Sequence, residues 1–406
     1  MLATALKVCL ALFTFGTNDA GVWDASALVI RDGKSRSIYF DGLHVLDAKG
    51  KFLHHQIFNH PPFMIFVLAG LNKVQDLTGT PAHVSIRLLD SLADAGTLAL
   101  TAAIVTSLAG SVPLWPFALI ALAPAWIFIS GFHANSDPLM LFFLILTVYL
   151  VEVRRFNVLA ALAFALATGI KIVPLLLLPA FLLYLDRRNR VKAVAILGFF
   201  WAVTATPWVL YTPQSFMHMI FGYRSITGWW GFGWLLSKIP ALHYLSTAFN
   251  TFGVYLLFGA MGFVTWLLNR GSSRTSLFYQ FGILLFVFMF LTPGFGIQYL
   301  AWLAPWILLL PWGVIAAHIA MSGLFCGTTY TYWTRGLPWY FANPISGGPW
   351  TNLGALANLV ATAGVLAWLT TALVLQAYYR GLSLRHQTGK QPKDVRKSSP
   401  LSQLSS

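Results

Sequence analysis

The residues of this chain that could do chemistry are few, and most fall at the ends of apolar segments. Asp19 and Asp24 lie in "TNDAGVWDAS" (17–26), directly after the apolar "LKVCLALFTFG". A carboxylate there can act as a general base, taking a proton from an acceptor hydroxyl, or can be the first solvated group past a membrane helix. The spacing keeps the two acids off one helical face, and "DAGVWD" is not a D-x-D metal motif. His60 in "FNHPPF" precedes a Pro-Pro that fixes the backbone and starts a helix, so its ring could bind a sugar or phosphate, or sit at headgroup level. Arg87, Asp90 and Asp94 in "RLLDSLADAG" fall at i, i+3 and i+7, one helical stripe. An internal Arg87–Asp90 ion pair is the expectation for that acid, while Arg87 can also face a cavity as an anion contact.

His133 and Asp137 belong to "GFHANSDPL", a bend between apolar segments in which Asp137, beside Pro138, is either a helix cap or a substrate contact. Lys171 in "ATGIKIVPLLLLPAF" stands at the junction of two short helices with no acid near it in sequence. Such a lysine snorkels to water or binds a phosphate as a point charge. Arg224 lies in "GYRSITGWWGFGWLL", where Trp rings suit either a membrane interface or stacking on sugars and isoprenoid chains. Gln298 and Tyr299 restart a helix after the break in "PGFGIQYLAWLAPW".

The elements that must position these groups are membrane helices. Of 406 residues, 57% are hydrophobic and 9% charged, against about 25% charged in a soluble domain, and mean hydropathy is +0.70. The expectation is an all-α polytopic membrane protein with one integral domain (1–379) and a basic, Ser-rich, disordered cytoplasmic tail (380–406) attracted to anionic headgroups. About twelve transmembrane helices (range 10–13) are expected, near 2–16, 85–108, 113–131, 136–153, 156–170, 172–186, 191–211, 250–269, 275–293, 297–310, 312–331 and 353–378. The first is short for a span, so it reads as tilted or lacking its native start, and no cleavage site marks it as a signal peptide. Residues 61–77 open on Pro-Pro and end in polar residues, which predicts a juxtamembrane helix inside a large first outer loop. Cys9 and Cys326 read as small buried hydrophobes.

A net charge of +14 suggests a nucleic-acid partner, but the placement of the charge argues against one. Basic clusters at 154–155, 186–192, 269–274 and the tail from Arg380 fall together on one side of a twelve-span topology, as the positive-inside rule requires of cytoplasmic loops. Both termini are then cytoplasmic and the candidate residues sit at outer helix ends. That pattern describes a polar cavity opening outward. A transporter or lipid-linked sugar flippase predicts ionisable groups near mid-membrane and repeated halves. The sequence points to no cofactor and leaves a divalent metal open.

The order of these motifs resembles the GT-C superfamily of integral-membrane glycosyltransferases. The resemblance rests on the acid after the first span (Asp19), "NHPPF", Arg87, "SDPLMLFFLILTVYL", "LATGIKIVPLLLLPAFLLY", the "Y-x-S-x-x-G-W-W-G" loop and "QYLAWLAPWILL". It implies an inverting transfer from a polyprenyl-phosphate-linked sugar at the outer face, with Asp19 as base and Asp24 as its solvated neighbour. Lys171, Arg87 and Arg224 would steady the phosphodiester leaving group; His60, His133, Asp137, Gln298 and Tyr299 complete the expected substrate site. The implied partners are the lipid-linked donor, a lipid, glycan or protein acceptor, and membrane lipids. The texture is closest to mannosyl- and arabinosyl-type transferases of a bacterial inner membrane. An O-antigen-type ligase or polymerase shares the donor and the face but would lean on several Arg and His in a long outer loop.

Overall fold

In hydrocarbon a backbone has to satisfy its own N–H and C=O groups, so the apolar segments of this chain fold as helices. The computed structural model describes residues 1–222, 227, 230–270, 275–309 and 312–344. In chain order the helices are α1 (Leu2–Phe13), α2 (Asn18–Arg31), α3 (Phe63–Thr78), α4 (Ala82–Ala109), α5 (Leu114–Ala121) and α6 (Pro124–Phe128). A π turn at Ile129–His133 leads to α7 (Asp137–Glu152), α8 (Asn157–Ile170), α9 (Leu178–Tyr184), α10 (Arg187–Tyr211), α11 (Pro213–Phe221) and α12 (Gly231–Ser237). Then come α13 (His243–Asn269), α14 (Leu277–Leu291), a 3-10 segment at Ile297–Leu303 and α15 (Trp312–Trp333).

Among the described residues, five helical stretches are long and apolar enough to cross a membrane: Ala82–Ala109, Leu114–His133, Arg187–Tyr211, Pro240–Asn269 and Trp312–Trp333. Leu2–Phe13, Asn157–Ile170, Val173–Tyr184 and Leu277–Leu291 are apolar but shorter. The expected span at 353–378 and the tail lie outside the described residues. Two small sheets qualify the all-α expectation. β1 (Gly16–Thr17) pairs in parallel with β4 (Phe341–Ala342), and β2 (Leu43–Leu46) pairs antiparallel with β3 (Phe52–Gln56). The expected first outer loop is therefore an ordered layer of α2, the β2–β3 hairpin and α3.

Two features set where the polar residues end up. First, α7 and α8 form an antiparallel helical hairpin, its turn passing through Arg155 in the left-handed region (φ 59°). The N-terminus of α7 thus meets the C-terminus of α8, and their dipoles favour an acid on the first and a base on the second. Asp137 and Lys171 occupy those two positions. Second, α1 ends against the start of α4 and the π turn. Gly16 (φ 104°) makes that approach possible, since a Cβ there would lie 2.6 Å from the Phe132 carbonyl oxygen. At the far end of the α7–α8 hairpin, Glu152 accepts from the Ser276 hydroxyl at 2.9 Å and from the Leu277 amide, capping α14.

Candidate functional site

The site forms where six chain junctions meet: α1 to α2, β3 to α3, the π turn to α7, α8 to α9, the 3-10 segment after α14, and the end of α15. Asp19 sits in the first turn of α2, where a carboxylate is favoured by the helix dipole. Thr17 caps the helix, accepting from the Asp19 amide (3.3 Å) while donating to the His133 carbonyl (2.6 Å), which ties α2 to the π turn. The Asp19 side chain remains 31% exposed, enough to meet a substrate. Its Oδ2 accepts from Asn135 Nδ2 at 3.0 Å and lies 3.4 Å from His133 Nε2. Burial pushes its pKa up, but His133, Asn135 and the Lys171 charge outweigh that and leave it below the ordinary carboxylate value. Asp19 is thus an ionised acceptor at neutral pH.

Lys171 is close enough for its charge to act on both Asp19 and His60. Its Nζ bonds Asp137 Oδ2 at 3.0 Å, and Asp137 is itself fully buried, with Oδ1 accepting from Trp302 Nε1 at 2.8 Å. One expected alternative, the helix cap, falls here. Lys171 does have an acid partner, brought from a distance in sequence by the helical hairpin. Asp137 makes no capping hydrogen bond; it anchors the lysine instead. His60 completes the ring of polar groups. Its carbonyl accepts from Tyr39 Oη (2.6 Å), and its imidazole packs on Trp23, whose Nε1 in turn bonds the Ala134 carbonyl (2.7 Å). Burial and the Lys171 charge hold the His60 pKa down to about 3, so the ring is neutral and can both donate and accept. Ala134 adopts a left-handed backbone (φ 64°), a strained conformation for a residue with a Cβ that the Trp23 hydrogen bond helps to hold.

Arg87 is not where a substrate could touch it. It is fully buried, and its three guanidinium nitrogens donate to the His83, Thr14 and Gly131 carbonyls and to the Thr14 hydroxyl. The expectation of an anion contact is corrected: the guanidinium is consumed by carbonyls that the end of α1 and the π turn leave unpaired. The Arg87–Asp90 ion pair is absent as well. Asp94 pairs with Lys7 at 2.5 Å, while neither Asp90 oxygen has a hydrogen-bond partner. Asp24 is not a solvated loop acid. It accepts from the His83 backbone amide (3.0 Å) and from His83 Nδ1 (2.7 Å), capping α4 from α2.

Tyr299 is buried with its ring 4.4 Å from Trp302, behind Asp137, and Gln298 beside it is half-buried. Arg224 lies outside the described residues. Four contributors escaped the sequence reading: Asn135, Trp302, Trp23 and Tyr330, whose Oη lies 2.7 Å from His133 Nδ1. Asn135 stood within a stretch already singled out, "HANSD". Tyr330 and Trp302 are separated from their partners by well over a hundred residues and carry no local signal. Among the described residues no group of three or more His, Cys, Asp or Glu is placed to hold a metal ion.

Polar groups gathered at one end of an apolar helical bundle define a membrane-embedded enzyme more readily than a conduit through the bilayer. The family comparison agrees. Residues 58–291 match the model of glycosyltransferase family 87, and with more than half of the chain covered, the chain belongs to that family. It is an integral membrane glycosyltransferase. The matched residues contain His60, His133, Asn135, Asp137 and Lys171, whereas Asp19 precedes them and Trp302 and Tyr330 follow. No individual curated protein matches the chain significantly.

Proposed function

We propose that this glycosyltransferase moves a sugar from a polyprenyl-phosphate-linked donor to an acceptor hydroxyl, with inversion, using Asp19 as the general base. The observation that carries the reading is the state of Asp19: an ionised, partly exposed carboxylate anchored through one oxygen and within the field of the half-buried Lys171 ammonium. In the reaction the acceptor oxygen attacks the anomeric carbon and its proton passes to Asp19. The bond from that carbon to the donor phosphate breaks, and the electron pair leaves with the polyprenyl phosphate. One displacement inverts the centre. Negative charge grows on the leaving phosphate, and Lys171 has N–H groups left to offer after its bond to Asp137. His60, neutral and held by Trp23 and Tyr39, is suited to a sugar hydroxyl.

The site faces outward in this reading, with both termini cytoplasmic and about twelve spans in a bacterial inner membrane. Support comes from the basic clusters at 154–155 and 186–190, which lie at helix ends opposite those that build the site. A mannosyl- or arabinosyl-type donor is the first to try, with a lipid, glycan or protein hydroxyl as acceptor. Asp19→Asn keeps the size and the Asn135 contact but removes the base. Transfer from radiolabelled polyprenyl-phosphate sugars should fall by about 10²–10⁴-fold. A purified, folded variant that transfers at the wild-type rate refutes the assignment.

A further inference from the structure

If Asp19 is the base, one of its oxygens has to stay open to the acceptor, and something must decide which. Both of its side-chain neighbours meet Oδ2: Asn135 Nδ2 at 3.0 Å and His133 Nε2 at 3.4 Å. Neither reaches Oδ1. His133 can serve as a donor there only if its proton sits on Nε2, because the other neutral tautomer would aim a lone pair at the carboxylate. The second ring nitrogen answers the question. Nδ1 lies 2.7 Å from the Tyr330 hydroxyl. Tyr330 is fully buried among Phe132, Trp333 and Trp339, and its phenol proton has the imidazole as its acceptor. A phenol donating to Nδ1 leaves the imidazole proton on Nε2.

We infer that Tyr330 and His133 are positioning residues for the base: the phenol selects the Nε2–H tautomer of His133, which with Asn135 pins Asp19 Oδ2 and leaves Oδ1 turned to the acceptor. His133 is thereby reassigned from a substrate contact to a support of the carboxylate. Its surroundings suit that role, since its side chain is only 7% exposed while that of Asp19 is 31% exposed. The titratable and charged groups around the pair are Asp19 from α2, Tyr330 and Cys326 from α15, Lys171 after α8 and His60 from the segment before α3. The arrangement follows a general rule: a ring nitrogen's role is set by the hydrogen bond that the other nitrogen makes.

This inference rests on the proposal that Asp19 is the base, and the experiment separates the two. Transfer kinetics are measured for His133→Phe, His133→Gln, Tyr330→Phe and His133→Gln/Tyr330→Phe, alongside Asp19→Asn. Removing the donor in His133→Phe should lower kcat by about tenfold or more with donor KM changed less than about twofold, since an orientation effect appears in the chemical step. His133→Gln offers an amide N–H near the same oxygen and should recover most of that loss. Tyr330→Phe should lower kcat by several-fold in the wild-type background and have no further effect beside His133→Gln, because an amide has no tautomer to select. Equal damage from Tyr330→Phe in both backgrounds marks a packing role and overturns the inference. So does undiminished kcat in both His133→Phe and Tyr330→Phe while Asp19→Asn is inactive. Full activity of Asp19→Asn overturns the base assignment itself. Should His133→Phe fail to fold, the Tyr330 cycle decides alone.

Discussion

Replacing Lys7 by methionine tests how the end of the molecule that carries the candidate site is held in place. Lys7 Nζ lies 2.5 Å from Asp94 Oδ2, the side chains are 2% and 1% exposed, and the ammonium sits 4.5 Å from the centre of the Trp126 ring. Ser130 donates to the same carboxylate oxygen. At that separation and an effective dielectric constant of about 20, the gross attraction is about 7 kcal/mol. Desolvating two ions costs a comparable amount, so the pair as a whole contributes little net stability. Removing one partner is different, because Asp94 stays buried without its counter-charge, one helical turn from the unpaired Asp90. Lys7→Met should therefore cost about 3–5 kcal/mol, and Lys7→Met/Asp94→Leu should recover most of it. Reversible unfolding in mixed micelles measures both. Transfer should follow stability, because α1 runs through Thr14, which Arg87 grips, to Asp19. A single variant as stable as wild type, or a double variant no better than the single, refutes the reasoning.

Two further outcomes are expected. Asp24→Ala removes the acceptor that caps α4 at the His83 amide and should cost about 1–2 kcal/mol in the same unfolding measurement, with transfer by the folded protein within about twofold of wild type. His60 is held near pKa 3 in the fold against about 6.5 in an unfolded chain, so as pH falls below about 6.5 the unfolded chain takes up the proton first. Its contribution is fully present above pH 6.5 and is lost towards pH 3; with the ring partly open to water, about 1–2 kcal/mol should disappear between pH 7 and 5. His60→Gln should lose that much less over the same interval in paired melting curves, and an identical loss in both proteins argues against a neutral His60 in the fold.

Much of the scaffold could be read from sequence because burial in a bilayer imposes a simple rule on long apolar runs. The α10, α13 and α15 helices fall where hydropathy placed them. The short helix at 63–78 was anticipated from Pro-Pro and a polar end. Candidate residues such as Asp19, His60, His133, Asp137 and Lys171 were legible as rare ionisable groups in an apolar chain, and they do converge. Partnership was not legible. The partner of Lys171 was hidden because Asp137 lies on the other arm of a helical hairpin, and Arg87 read as an anion contact because two of its carbonyl partners, Thr14 and Gly131, belong to segments far from it in sequence. The β2–β3 hairpin and the strand at 341–342 are too short, and too irregular in pattern, to stand out from loop sequence.

The two-residue strand β4 also says something about the order in which the molecule can become active. Phe15 and Gly16 donate their amides to the Tyr340 carbonyl, and Gly16–Thr17 pairs with Phe341–Ala342, so the backbone leading into Asp19 is completed by a segment more than 320 residues downstream. A ribosome delivers those residues long after α1 has been made. Until they emerge, a growing chain can hold every apolar helix through α14 and still lack the clasp that seats its carboxylate. On the proposed role of Asp19, catalysis waits on synthesis, and a chain terminated before Phe341 would lack transfer activity.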